Sequence, residues 1–194
     1  MRRKIDPAAP DSAGDPMPSC KNTKKILADE LRRLMQIYPF EQITVTQLCD
    51  CCGVNRKSFY YHYKDKYDVI NQIFDSEMIN SSLDSRDLSG WIHLRCLCEY
   101  FYENRAFYRK ALEINGQNSF AEHFRESIFQ RVSDSYRSEY REDDLSEFQL
   151  YFFTDAIVMS IQRWLCSKAP MKPDEFISQI KKCLQTIAAV AADW

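Results

Sequence analysis

Thr44–Tyr63 reads TVTQLCDCCGVNRKSFYYHY, and two short helical patterns meet in it at a single glycine. Thr44 is a residue type that caps helix N-termini, and Gln47 stands three positions on, the spacing of a capping box. A helix is therefore expected over Val45–Cys52. Gly53 supplies the left-handed residue that closes a helix and redirects the chain. Asn55 then caps a second helix, Arg56–His62. Val45, Leu48, Cys49 and Val54 make a small core between the two, and Phe59 packs the second helix down. The opposite face of that second helix presents Asn55, Arg56, Lys57, Ser58 and Tyr61.

This arrangement is a helix-turn-helix with a polar, basic outer face, which is what a reader of the DNA major groove needs. The first turn of a recognition helix meets base edges, while flanking groups hold phosphates. Arg56 and Lys57 can donate to guanine O6 and N7, and Asn55 can pair with adenine where it is not consumed as a cap. Thr44 and Thr46 can donate to a phosphate at a helix N-terminus, where the dipole assists. Asp65 caps a further helix from Lys66 to about Met78, and Lys66 can meet a phosphate as a point charge.

The longer run TVTQLCDCCGVNRKSFYYHYKDKYDVI resembles the DNA-binding domain of the TetR/AcrR family of transcription regulators. Gly53-Val54-Asn55 stands for the family's turn and cap, Phe59-Tyr60 for its Phe-Tyr pair and His62-Tyr63 for its His-Phe pair. Lys66 matches the family's phosphate-binding lysine. The likeness covers residues 22–75. Cys49, Cys51 and Cys52 depart from it, standing where Ala, Lys or Glu is common. The resemblance implies an all-α homodimer, two DNA-reading heads joined through C-terminal helices. It further implies that Tyr60, His62 and Lys66 touch phosphates while Arg56, Lys57 and Tyr61 lie near bases. Repression is the family's usual mode. His62 also reads as a structural histidine bonding a carbonyl, and both readings stand.

Outward from the motif, Leu27, Leu31, Leu34, Met35 and Tyr38 fall on one face of a helix from Asn22 to Tyr38. Pro39 ends it. Residues 1–18 hold four Pro and no apolar period, so a disordered tail is expected. After the helix-turn-helix domain (19–66), helices are expected at Ser89–Glu103, Arg105–Glu113, Ser119–Tyr140, Leu145–Ser167 and Asp174–Ala192. The chain then has about nine helices, with residues 67–194 forming an effector-binding and dimerisation bundle. Charge follows the same division. Residues 21–66 hold nine Lys/Arg against five Asp/Glu, while the whole chain has net charge −2. A basic N-terminal part joined to an acidic remainder suits a local nucleic-acid footprint.

The C-terminal part offers less chemistry. Tyr100, Phe101, Phe124 and Phe153 are candidates to border a pocket for a small-molecule effector. Phe152, Ala156, Met159, Trp164, Phe176, Ile180, Leu184 and Ile187 are candidates for a homodimer interface of four helices. No nucleophile-and-base pattern stands out, so an enzyme is not expected. Eight Cys fall among helical patterns without a zinc-module spacing, which reads as reduced thiols and no metal or other cofactor. A thiol or metal sensor and a non-DNA-binding adaptor are the alternative readings. No apolar run approaches the ~18–20 residues of a membrane span, and no signal peptide is legible, so a cytoplasmic protein is expected.

Overall fold

A computed structural model describes residues 20–80, 90–116, 118–139 and 146–192. Among them are nine α-helices, one 3-10 turn and no strand. The expected tail 1–18 and the expected helix ends at Ser89, Tyr140 and Leu145 lie outside the described residues.

Three helices form the head. Helix α1 (Cys20–Ile37) buries Leu27, Leu31, Leu34 and Met35, and Pro39 ends it. Phe40–Gln42 make a 3-10 turn that the periodicity did not reveal, since three residues are too few to show a period. Thr44 caps α2 (Val45–Cys52) by accepting from the Gln47 N–H at 3.1 Å. Gly53 closes α2 at φ 63°, where a Cβ would be strained. Its turn returns the Val54 N–H to the Cys49 carbonyl at 3.0 Å, satisfying a carbonyl left over at the helix end. Asn55 caps α3 (Arg56–His62) through the Ser58 N–H at 2.8 Å.

Helix α4 (Lys66–Asn80) connects head to body, with Val69, Ile70, Ile73, Phe74 and Met78 buried. The body comprises α5 (Gly90–Glu103), α6 (Arg105–Leu112), α7 (Phe120–Glu139), α8 (Glu147–Cys166) and α9 (Pro173–Ala192). Phe74 is the hub of its core: its ring lies 5.9 Å from Phe101, 5.4 Å from Phe120 and 5.8 Å from Phe124. Offset and edge-to-face pairs of this kind add to the burial of their area. Helices α7 and α8 run antiparallel, tied by Arg125 to Asp155 (2.5 Å) and by stacking of Phe129 on Tyr151 (4.5 Å). Ser146 and Gln149 form a full capping box at the start of α8. At its other end Arg105 donates to the Leu165 carbonyl (2.9 Å) and the Ser167 carbonyl.

The join between head and body is polar and part-buried. Arg32 on α1 donates to both oxygens of Glu77 on α4 at 2.6 Å, and to Asn104 at 3.4 Å. Tyr100 donates to the same carboxylate, and its hydroxyl meets that of Tyr108 at 2.5 Å. Burial pushes the Tyr108 phenol well above its usual range, and the Glu77 charge adds to this. Lys110 donates to the Met35 and Gln36 carbonyls at 2.6 and 3.3 Å, so a cation from α6 caps the C-terminus of α1.

Candidate nucleic-acid interface

Helix α3 stands on one buried side chain. Phe59 is fully buried, and its ring contacts Tyr60 at 5.3 Å and Tyr63 at 5.7 Å. Tyr63 is buried as well and donates to the Lys24 carbonyl of α1 at 3.2 Å, fastening the end of α3 to the head. That burial pushes the Tyr63 phenol up to about 12. With one face so anchored, the other is turned outward. Asn55, Arg56, Lys57, Tyr60 and Tyr61 are exposed, and Tyr61 reaches 79%. Thr44 and Thr46 are exposed at the start of α2. The two helix starts that carry Thr44, Thr46, Asn55, Arg56 and Lys57 are thus joined through one glycine turn.

Several of these groups already have local partners. The Asn55 carbonyl oxygen is spent as the α3 cap, leaving its NH2 as the group able to reach a base. Arg56 donates to the Tyr60 hydroxyl at 3.4 Å, with its guanidinium carbon 5.8 Å from that ring's centroid. That hydrogen bond holds the Arg56 guanidinium above its ordinary range. Ser58 and His62 are half-buried, and the His62 ring packs edge-on to Tyr61 at 5.0 Å. The His62 carbonyl accepts from Gln72 at 3.3 Å. Lys66 differs from the rest: its ammonium donates to the carbonyls of Phe40 (2.7 Å), Glu41 (3.2 Å) and Ile43 (2.8 Å).

The cysteines of the motif do not share a face. Cys49 is buried, Cys51 exposed and Cys52 half-buried with its thiol donating to the Ile26 carbonyl at 3.7 Å. Burial pushes the Cys52 thiol up to about 12 and raises Cys49 too, which makes both poor thiolates. Among the described residues no group of three or more His, Cys, Asp or Glu side chains is placed to hold a metal ion. No described helix is long and apolar enough to cross a membrane.

The pocket expected in the body is not built from its four aromatics. Phe101 and Phe124 are fully buried and pack on each other at 5.2 Å, inside the solid core around Phe74. Tyr100 belongs to the Glu77 cluster, and Phe153 is exposed on α8 beside Phe152. Aromatic residues alone do not separate core from pocket wall. A concave surface of about 500 Å3 lies elsewhere, between α4 and α7, lined by Asp75, His123, Glu126, Gln130, Arg131 and Asp134 among others. His123 and Asp75 meet across it at 2.7 Å.

The expected interface residues divide in two. Trp164 and Phe176 are buried within the chain, stacked at 4.5 Å, with the Trp164 indole N–H donating to the Met171 carbonyl at 2.8 Å. They close the α8–α9 turn and are not available to a partner, which corrects the expectation for both. Ile180 is half-buried. Phe152, Ala156, Met159, Leu184 and Ile187 are exposed, as are Phe148 (76%) and Val190. Every residue from 181 to 190 is exposed, although the helix continues through it.

Comparisons with known proteins agree with this architecture. A TetR-type family model, the transcriptional regulator C-terminal region, matches residues 92–186. The chain is similar to the HTH-type dhaKLM operon transcriptional activator DhaS of Lactococcus lactis subsp. lactis (strain IL1403). The two are 28% identical over 148 residues, 73% of this chain and 78% of that protein. Among solved structures, the dihydroxyacetone kinase operon activator DhaS aligns at TM-score 0.60 and 22% identity, over 87% of this chain and 97% of the other. A TetR transcriptional regulator from Streptococcus agalactiae 2603V aligns at TM-score 0.64 and 21% identity, over 82% and 92%. At these identities the two structures speak for the fold.

Proposed function

We propose that the chain is a TetR-family transcription regulator that binds an operator as a homodimer, reading DNA with α3 and the start of α2. The observation that carries this is the outer face of α3. It presents Arg56, Lys57, Tyr60 and Tyr61 to solvent on a helix whose inner face is locked by Phe59 and Tyr63. Arg56, Lys57, Tyr61 and the Asn55 NH2 are proposed near bases. Thr44, Thr46, Ser58, Tyr60 and His62 are proposed on sugar and phosphate. Each good base contact discriminates by about 1–3 kcal/mol.

A single seven-residue reader is weak, and two readers on one frame gain by effective concentration. The open apolar face of α8 and α9 supports self-association: among the described residues Phe152, Met159, Leu184 and Ile187 stay exposed. Half-sites must then lie about 34–36 Å apart, one DNA turn or a multiple of it. Control from the body runs through α4, which touches both the head and the body core, beside the α6 cation that caps α1. A polar effector in the α4–α7 groove, or a partner protein on the body, would bias its position. The relative at 28% identity is named an operon activator, which favours activation here; the repression expected from the family's usual mode has no such support.

The test is selection of bound fragments from the chain's own upstream genomic DNA at two salt concentrations. The expected result is a two-fold symmetric site whose binding weakens as salt rises. In a second step Lys57→Ala relaxes base preference at one position of each half-site. Enrichment of no sequence at low salt sinks the DNA-binding reading. A reporter fused to the selected site then decides the direction of regulation.

A further inference from the structure

Lys66 begins α4, where the sequence pattern places a cation for DNA phosphate, but its ammonium points back into the head. We propose that Lys66 is a positioning residue that staples the Phe40–Ile43 turn to α4 and so sets the start of α2, without touching DNA. This rests on the DNA-binding reading above.

An ammonium has three donors and no acceptor. Here three carbonyl oxygens, of Phe40, Glu41 and Ile43, lie at 2.7, 3.2 and 2.8 Å, which fills its capacity. The same ammonium sits 4.3 Å from the centroid of the Phe40 ring, a cation–π contact. Phe40 is buried and meets Tyr67, the next residue of α4, edge-on at 4.9 Å. Two neighbouring residues of α4 therefore grip one short turn, one by charge and one by ring contact.

The grip acts on the reader because of where the turn leads. The Ile43 carbonyl belongs to the peptide that enters Thr44, the cap of α2. Thr44 and Thr46 stand on that helix start, and α2 leads through Gly53 into α3. Displacing α4 thus displaces the start of α2. For Lys66 to meet a phosphate it must release charge-assisted bonds and leave carbonyl oxygens facing one another without a donor, in a part-buried site. Burial already pulls the Lys66 pKa below its usual value, with Glu41 opposing that shift. At the far end of α4, Glu77 is held to Arg32 of α1. Between them Gln72 donates to the His62 carbonyl at 3.3 Å and accepts from Lys24 at 3.0 Å, so the head is tied to α4 near its start, its middle and its end.

Salt dependence separates a staple from a phosphate contact. The full chain is titrated onto the selected operator duplex across a range of NaCl concentrations, as wild type, Lys66→Met, Lys66→Arg and, as a control, Lys57→Ala. For a staple, Lys66→Met binds about tenfold more weakly with the salt slope of wild type. Lys66→Arg is weakened too, because a planar fork cannot aim three donors at three converging oxygens. A slope lower by about one unit in Lys66→Met, with Lys66→Arg binding like wild type, overturns the proposal. A measurement on the wild type covers the case in which a variant fails to fold. The Lys66 ammonium nitrogen keeps its NMR shift when DNA is added, whereas a coupling to phosphorus refutes the staple. A wild-type chain that binds no sequence overturns the DNA reading itself and is told apart by that wild-type curve alone.

Discussion

Helix α3 and the C-terminal half of α9 are both exposed, and they expose opposite chemistry. Helix α3 buries Phe59 and shows solvent Arg56, Lys57, Tyr60 and Tyr61, groups that are comfortable in water and able to donate to DNA. Over residues 181–190 every residue of α9 is exposed, and Leu184, Ile187 and Val190 form an apolar stripe that the described residues leave open to solvent. Short helices are marginal in water without tertiary packing. An anchored helix with a polar outer face is complete in one chain and awaits a polar ligand. An unanchored helix with an apolar stripe is incomplete and calls for a protein surface.

The strongest way to break this contrast is to remove the anchor. Phe59→Ala should destabilise the head by about 3–5 kcal/mol, since a large, fully buried ring leaves a cavity. Denaturant unfolding followed head and body separately will show it; a loss shared equally by both would mean that α3 does not rest on its own small core. Next in size is Ile187→Asp on the bare stripe. At 60% exposure the change should leave the single chain folded, within about 0.5 kcal/mol. Self-association should be lost and operator affinity should fall about 10²-fold. Sedimentation of the variant as an unaltered dimer would remove α9 from the interface.

The clamp between the regions is the third target. Glu77→Gln takes away the charged acceptor shared by Arg32 and Tyr100, and should cost about 1–3 kcal/mol. Hydrogen exchange is then expected to rise in α1 and the last turns of α4 before it rises in α8; no change in α1 would show that the carboxylate does not hold the head. The smallest effect sharpens the account of α8 alone. Ser146→Ala removes a capping box on an exposed helix start and should cost about 1 kcal/mol, read as a shift in the thermal midpoint with DNA binding untouched.

The reader was legible from local chemistry. Caps at Thr44 and Asn55, the glycine at 53 and the apolar spacing of Val45, Leu48, Cys49 and Val54 are each decided within a few residues, and the observed α2 and α3 have the expected ends. Helix α9 begins at Pro173, one residue before the expected Asp174, where the missing N–H of proline is not needed. Side chains whose partner lies far along the chain were not legible. Arg32 and Glu77 are 45 positions apart, and Lys110 reaches α1 from 75 positions away. Trp164 and Phe176 looked like interface residues because apolar period does not say which neighbour covers a stripe; the α8–α9 turn folds them onto each other.

The sequence by itself determined the helical class, the helix-turn-helix and the identity of the groups that α3 offers to solvent. Periodicity, caps and a turn glycine act over one or two helical turns, and the chain carries all three in full. Tertiary structure decided which apolar faces stay open on α8 and α9, that Phe101 and Phe124 are core, and that the Lys66 ammonium faces three carbonyls. Burial and donor satisfaction are properties of what surrounds a group. For Lys66 those surroundings are a turn 23 to 26 positions earlier in the chain, which only the folded head brings to it.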